Sequence, residues 1–587
     1  MRPTLRSTLA LGALASLLAF TACKDDNGTT QPIVVTKPDA PSNVLVTALS
    51  QTSLRVTWSG TSGATYFVER APGTGTTFTT VANAVTTTSY TDAGLVANTA
   101  YQYRVTTVRG SDTSVVSAVA SASTSDRLTI TVSGNITIDR TFTSDTNYIL
   151  SGFVKVRTGV TLHIKEGTKI VGDPNVNGSS LWILQGGKID AVGTATNPIV
   201  FTSSRAVGQR MPGDWGGIII IGKAIANRGC PNALNASCVQ TTLTEGPAGG
   251  IQNTGENYAG GTDPNDNSGT MRYVRVEYAG YAVDTDQELN AFSMYAVGRG
   301  TTLEYLEAMD GLDDSFEWFG GSVDTRYLVS YESGDDHFDW TEGYNGRSQF
   351  LIGMQTYAPT PRPGTGSASQ DPHLFEGDGC ENDKPGCPDY TNKPYSMPVF
   401  ANFTLLSTGA GVFKAGNLKD ANGAEIRRGT GGSLFNGILA RVQGIGLDVR
   451  DAATDNMRTI DSLFISNNIF ISNAGGNFDP VGTNFGQKTN FATNDDLTAD
   501  PVSLFSSVPA AGGQPSLATL DWSLTAASAA RTGGLTTLPA KVLARVAGYF
   551  GGTFVATAYR GAADPNGAKW WAGWTNYERQ ANLVILP

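Results

Sequence analysis

One stretch of the chain is written twice. Glu304-Tyr-Leu-Glu-Ala-Met-Asp-Gly-Leu-Asp-Asp-Ser-Phe-Glu-Trp318 aligns with Arg326-Tyr-Leu-Val-Ser-Tyr-Glu-Ser-Gly-Asp-Asp-His-Phe-Asp-Trp340 at a constant offset of 22 residues. Tyr305 falls on Tyr327, Asp313-Asp314 on Asp335-Asp336, and Trp318 on Trp340. A looser copy runs from Arg272-Tyr273-Val-Arg-Val-Glu-Tyr278 to Phe292-Ser-Met294, stretched by an eight-residue insertion. Each copy holds two short β-type segments around a Gly- and Asp-rich turn and is too small to enclose a core. Such units bury their apolar faces only by stacking on their neighbours, as the coils of a solenoid do. Further short strands separated by Gly turns precede the repeat: Val160–Ile164, Gly167–Ile170, Leu181–Leu184, Gly187–Ala191 and Pro198–Phe201. The expected fold class is all-β, with a parallel β-helix over residues 128–480 and a C-terminal β-helix end and cap over 481–587. In the cap, Leu538–Val546 reads as a short helix, and Trp570, Trp571 and Trp574 as a cluster covering the open end of the solenoid.

Alternation with a period of two assigns faces within each copy. Val274 and Val276 point inward with Leu306 and Leu328. This sends Tyr273, Tyr305 and Tyr327 outward, stacked about 4.8 Å apart on successive coils, as candidate ligand-binding residues. On the second strand Phe316, Trp318, Phe338 and Trp340 share one face. Asp313, Ser315 and Glu317 lie on the other, above Asp335, His337 and Asp339. The expectation is aromatics in the core and carboxylates on an exposed face. The inverse is an outward aromatic platform for sugar rings.

The composition suits an exported protein. Charged residues are 16%, Gly numbers 69 and the net charge is −11. With no run of Lys or Arg, phosphate neutralisation has little to work with, which argues against nucleic-acid binding. Cys230 and Cys238, and Cys380 and Cys387, form two local pairs in polar, Pro-containing loops. Two loop-closing disulfides are expected, each worth about 2 kcal/mol. A zinc site is the alternative, but the spacings are wide for a Cys-x-x-Cys knuckle and no His lies nearby.

Arg2 and Arg6 precede an apolar run, Leu9–Phe20, and then Thr21-Ala22-Cys23. This resembles a bacterial lipoprotein signal over residues 1–22, too short to span a bilayer permanently. The resemblance implies acylation of Cys23 and anchoring to a membrane. Lys24-Asp25-Asp26 is similar to an acidic surface-export tag, which implies the outer membrane with the protein facing the cell surface. Residues 23–37 read as a polar tether. From Pro38 to Thr124, short strands alternate with turns; Ser53–Trp58 places Leu54, Val56 and Trp58 on one face. Leu95, Tyr101, Tyr103 and Val105 have the spacing of a tyrosine corner. This module resembles a fibronectin type III domain, which implies a spacer or interaction role.

Residues 128–480 resemble the right-handed parallel β-helix of the pectin-lyase-like superfamily. Gly213–Ile218, Asn265–Gly269 and Gly573–Thr575 resemble segments of a group of large bacterial surface lipoproteins of uncharacterised function. That fold hosts hydrolases, lyases, adhesins and stalks, so activity has to be argued from the site. Asp313, Asp314, Asp335, Asp336 and Asp339 are candidate catalytic carboxylates of a polysaccharide-cleaving enzyme, a glycoside hydrolase or polysaccharide lyase. The Gly-His-Gly and Arg-x-Lys segments of polygalacturonase-type enzymes are not recognisable. Three His (His163, His337, His373) leave little for a triad or a His-ligated metal. Arg299, Arg326 and Arg347 are the available bases. Calcium is the second chemistry: stacked Asp313, Asp335 and Asp339 repel unless a cation relieves them. Asp263, Asn265 and Asn267 have the alternating oxygens of a calcium loop, or of an Asx-rich turn. The resulting expectation is a surface protein binding carbohydrate or another extracellular ligand without catalysis, the alternative being a polysaccharide-degrading enzyme.

Overall fold

The computed structural model describes residues 37–205, 208–228, 241–245, 258–284, 287–380, 387, 389–409 and 421–577. The leader, Cys23, the tether up to residue 36 and the Cys230–Cys238 pair lie outside the described residues. The chain divides into two units, Met1–Arg127 and Leu128–Pro587.

The first unit is a two-sheet sandwich. Strands Ser42–Ala48, Ser53–Ser59 and Ser89–Ala93 form one antiparallel sheet; Thr79–Val85, Thr65–Pro72 and Ala100–Arg109 centre the other. Leu54, Val56, Trp58, Tyr66, Val68, Tyr103 and Val105 fill the space between them. The Tyr101 hydroxyl accepts the Val96 amide at 3.1 Å, the expected tyrosine corner, and Tyr103 donates to Asp92 at 2.8 Å.

The second unit is a parallel β-helix whose strands form three stacked columns. In the first, Thr302–Glu304 lies on Thr270–Arg272 and beneath Thr325–Arg326. In the second, Leu306–Met309 lies on Val274–Glu277 and beneath Leu328–Tyr331. In the third, Phe316–Phe319 lies on Phe292–Tyr295 and beneath Phe338–Thr341. The 22-residue repeat is one coil. The eight-residue insertion is the hairpin Tyr281–Asp284 with Gln287–Leu289. Val274, Leu306, Leu328, Phe316, Trp318, Phe338 and Trp340 are all core residues, so the aromatics point inward as expected.

A single left-handed residue joins the first two columns on successive coils: Tyr273, Tyr305, Tyr327, Phe350, Asn402 and Asn436 have φ between 51° and 66°. This bend breaks the period of two. Leu303 and Leu306, three apart, both face the core. Asn tolerates this conformation through its short polar side chain; the aromatics gain contact by stacking, with Tyr305 4.4 Å from both Tyr273 and Tyr327.

Several expectations are corrected. The Tyr ladder is half-buried and carries the C-terminal segment: Trp574 meets Tyr273 and Tyr305 edge-on, and Trp570 packs on Tyr327. The Trp cluster therefore covers the side of the solenoid, where Met309, Tyr331, Met354, Leu406 and Ile471 form an apolar outer face, rather than its open end. Within 481–587, Asp495–Leu497 continues the parallel ladder on Ile469–Ile471. The short helix is present as Ala540–Val546. Cys380 and Cys387 are joined by a disulfide, with Cα atoms 5.5 Å apart. Finally, the carboxylate face is largely buried: Asp314, Asp336, His337 and Asp339 are 6%, 3%, 1% and 7% exposed.

Candidate functional site

The outward positions of the third column stack in register. Ser293 lies beside Glu317, then come Asp339, Glu376, Glu425 and Asp448. Parallel strands lie about 4.8 Å apart, so neighbouring carboxylates on this column repel unless something intervenes. The Asp-Asp turns entering the column add Asp313-Asp314 and Asp335-Asp336 on the same side.

Two carboxylate groups share Asp314. Asp313, Asp314 and Asp335 bring ligand oxygens within 4.8 Å of one another, and so do Asp314, Glu317 and Asp339. Asp313, Asp335 and Asp339 therefore do not form one ladder: the first two stack at the turn, while Asp339 pairs with Glu317 on the strand. Asp314 accepts the Asp336 amide at 2.8 Å, and Asn290 donates to Glu317 at 2.5 Å. No Arg or Lys among the described residues pairs with Asp313, Asp314, Glu317 or Asp335. Burial pushes the carboxyls of all four well above the usual range, and neighbouring acids add to it: Asp335 for Asp313, Glu317 for Asp314, Asp339 for Glu317 and Asp336 for Asp335.

The following coils are treated differently. Arg427 bonds Glu376 at 2.7 Å, Asp378 at 2.9 Å and Glu425 at 2.9 Å. Arg450 bonds Glu425 at 2.7 Å and Asp448 at 2.5 Å. His373, fully enclosed, lies 3.1 Å from Asp336 and 2.9 Å from Glu425. Burial opposes its charge, but those two carboxylates hold its pKa well above the ordinary value. Glu425 is desolvated too, yet His373, Arg427 and Arg450 bring it down to about 2. At the end of the run, burial and the charge of Asp448 push Asp479 up to about 7.

The bases considered from sequence stand elsewhere. Arg326 bonds Glu304 at 2.6 Å, Arg347 is buried against Asp324, and Arg299 donates to the Asn345 carbonyl at 3.1 Å. His163 bonds Asp190 at 2.9 Å on earlier coils. Burial lowers the His337 pKa to about 4, so this imidazole is neutral. In the 263–269 loop, Asp263 accepts the Asn265 amide and Asn267 the Gly269 amide, which is the Asx-turn arrangement, while Asp266 accepts the distant Lys223 amide. Of the two oxygen sets considered from sequence, the carboxylates from Asp313 to Asp339 are the ones gathered as candidate cation ligands. Sequence reasoning missed Glu376, Glu425, Asp448 and their partners His373, Arg427 and Arg450. Their signal was a single acid between apolar residues, as in Phe375-Glu376-Gly377 and Leu447-Asp448-Val449.

Clustered oxygens alone, without a neutral imidazole or thiolate among them, suit a hard divalent ion such as Ca²⁺. For glycoside hydrolysis the separation matters: an inverting pair needs about 6.5–9.5 Å to admit water and a retaining pair about 5–5.5 Å, and the oxygens here come within 4.8 Å of one another, nearer the retaining spacing.

Residues 134–513 match the family model of the pectate-lyase like β-helix domain, and residues 39–122 that of the fibronectin type III domain. The chain belongs to the pectate-lyase-like β-helix family and carries a fibronectin type III domain ahead of the solenoid. Among solved structures, it is similar to domains A168–A170 from titin (31% identity, 15% of this chain, 33% of that one, TM-score 0.14). Similarity extends to titin kinase and its flanking domains (32%, 15%, 17%, 0.14) and to an Fn3-like protein from Clostridium thermocellum (32%, 15%, 92%, 0.14). The chain thus spans a third or less of the two titin structures. No curated protein matches it.

Proposed function

We propose that the chain is an exported surface protein whose β-helix binds Ca²⁺ at Asp313, Asp314, Glu317, Asp335 and Asp339 and uses that cation to engage an extracellular ligand, carbohydrate first. The observation that carries this reading is the contrast along one acidic column, where arginines bond the later coils and no described Arg or Lys pairs with Asp313, Asp314, Glu317 or Asp335. A bound cation would neutralise the cluster and retain free coordination positions for ligand hydroxyls or carboxylates. The close spacing of the carboxylates argues against an inverting hydrolase. The half-buried Tyr273, Tyr305 and Tyr327 serve in this reading as the seat of the C-terminal segment.

Export rests on the leader. Arg2, Arg6, the Leu9–Phe20 run and Thr21-Ala22-Cys23 support a lipid anchor on Cys23, and Lys24-Asp25-Asp26 supports display on the outer membrane. The test combines two measurements on the full-length chain. Cys23→Ser should abolish labelled fatty-acid uptake and release the protein from membranes; undiminished acylation would remove the anchor. A glycan array, read with Ca²⁺ and with EGTA and paired with an assay for new reducing ends, should show calcium-dependent retention without cleavage. Release of oligosaccharide would favour the enzyme instead.

A further inference from the structure

Six Asp-Pro bonds occur in the chain, at Asp173, Asp263, Asp371, Asp479, Asp500 and Asp564. Such a bond is chemically weak: the carboxyl is one ring closure from its own main-chain carbonyl, and the proline nitrogen belongs to a tertiary amide and leaves as a basic secondary amine. In five of the six the carboxylate is committed elsewhere. Asp173, Asp263, Asp500 and Asp564 each accept the amide two residues on, at 2.9 or 3.0 Å. Asp479 accepts the Val449 and Gly486 amides at 3.1 and 2.6 Å. The Asp371 carboxylate accepts no hydrogen bond from any described residue, and its Oδ1 is enclosed without a partner.

What stands beside that oxygen is a cation. His373 Nε2 lies 3.6 Å from Asp371 Oδ1, and Asp336 at 3.1 Å and Glu425 at 2.9 Å hold the imidazole charged, so a proton donor sits next to the weak bond. Both sides of the bond are pinned. Before it, the Ser369 amide donates to the Gly334 carbonyl at 2.9 Å and the Asp371 amide to Ser369 Oγ at 3.0 Å. After it, the His373 carbonyl accepts the His337 amide at 3.1 Å and the Phe375 amide donates to the Gly423 carbonyl at 2.9 Å. A small cavity with room for about one water lies against Pro372 and His373.

We propose that the chain cuts itself between Asp371 and Pro372, with the Asp371 carboxylate as nucleophile and His373 as proton donor. The carboxylate oxygen attacks the Asp371 main-chain carbonyl carbon and closes a five-membered anhydride, an intramolecular step. The C–N bond breaks, and the Pro372 nitrogen takes the His373 proton. Water then opens the anhydride. Its oxygen stays on Asp371, which ends with a side-chain and an α-carboxylate; one of its protons returns to His373 and the other charges the Pro372 amine. The pinned flanks keep both new ends in place, so the cut solenoid stays folded. The cut falls in the turn that covers the acidic cluster, between Ser369, which bonds Asp335, and His373, which pairs with Asp336. Neither step depends on what that cluster binds.

The test is intact-mass spectrometry of the full-length chain under denaturing conditions, after incubation in water enriched in oxygen-18. Wild type should yield one fragment ending at Asp371 and one beginning at Pro372, which run together on native size exclusion. Part of the label should appear in the Asp371 side chain, because water can open either carbonyl of an anhydride, whereas a contaminating protease labels the α-carboxylate alone. Asp371→Ala should abolish the cut, and His373→Gln should slow it by roughly a hundredfold or more. Asp564→Ala, which alters another Asp-Pro bond, should leave it unchanged. Circular dichroism keeps a misfolded variant from being counted. A wild-type chain that stays whole, label confined to the α-carboxylate, or an equal rate in folded Asp371→Ala would overturn the proposal.

Discussion

Between Glu317 and Asp448 the outward position of one column is acidic on every coil, and the two ends of that run solve the same electrostatic problem in opposite ways. Towards Asp448, guanidinium groups and a charged imidazole are interleaved with the acids, so Glu425 is held at about 2 although it is fully buried. Towards Glu317, the acids are packed against one another and burial raises their pKa. A column needed only for stacking has no reason to crowd acids at one end with no described Arg or Lys beside Asp313, Asp314, Glu317 or Asp335. The later coils are a built-in salt-bridge network. The earlier coils instead bring carboxylate oxygens within 4.8 Å of one another.

The largest difference should come from breaking the network. Arg427→Ala takes from Glu376, Asp378 and Glu425 the guanidinium that they share and should destabilise the solenoid by about 3–5 kcal/mol, read as a fall in thermal midpoint. Asp314→Asn, on the other end, should be neutral or raise the midpoint in EGTA. A large loss of stability from Asp314→Asn in EGTA would erase the distinction.

The pH response sharpens it further. A carboxyl whose folded pKa is raised binds more protons folded than unfolded. Stability therefore falls as pH rises from the unfolded value near 4 through the folded one. Asp313, Asp314, Glu317 and Asp335 all act in this direction, as does Asp479 up to about 7. His373, raised as well, contributes fully below about 6.5 and loses that contribution as pH climbs through its folded value. In EGTA the midpoint should thus be several degrees lower at pH 8 than at pH 5, and Ca²⁺ should recover more at pH 8. Glu425 acts in the opposite sense, but its window lies below pH 5. A midpoint that rises steadily from pH 5 to 8 in EGTA would show that the acids are not buried in solution.

The repeat made much of this legible. The offset of 22 located Tyr305 over Tyr327 and Trp318 over Trp340, and alternation placed the aromatics in the core. It placed Leu306 in the core correctly but did not reach Leu303, because a left-handed Tyr305 between them resets the alternation, which a period of two cannot express. It also left the carboxylates on an open face. Their cover comes from residues outside the repeat, such as Ser369 and His373 in the long turn after Gln355, which contact Asp335 and Asp336. The acids beyond Asp339 went unnoticed because turns of different lengths separate them and no constant offset points to them. The position of the Trp cluster depended on contacts such as Trp574 with Tyr273, some three hundred residues back in the chain, which local patterning does not encode.

The most direct test is a calcium titration of the full-length chain at pH 8, followed by calorimetry and thermal melting, on wild type and Glu317→Gln side by side. At a hundred times the dissociation constant, one site adds about 2.7 kcal/mol to folded-state stability, which for a domain of this size is a shift of a few degrees. Wild type should bind Ca²⁺ and gain that shift, while Glu317→Gln should lose both and melt in EGTA no lower than wild type. Wild type that neither binds Ca²⁺ nor melts higher in its presence, or Glu317→Gln that binds it as tightly, would contradict the assignment of the clustered carboxylates as a cation site.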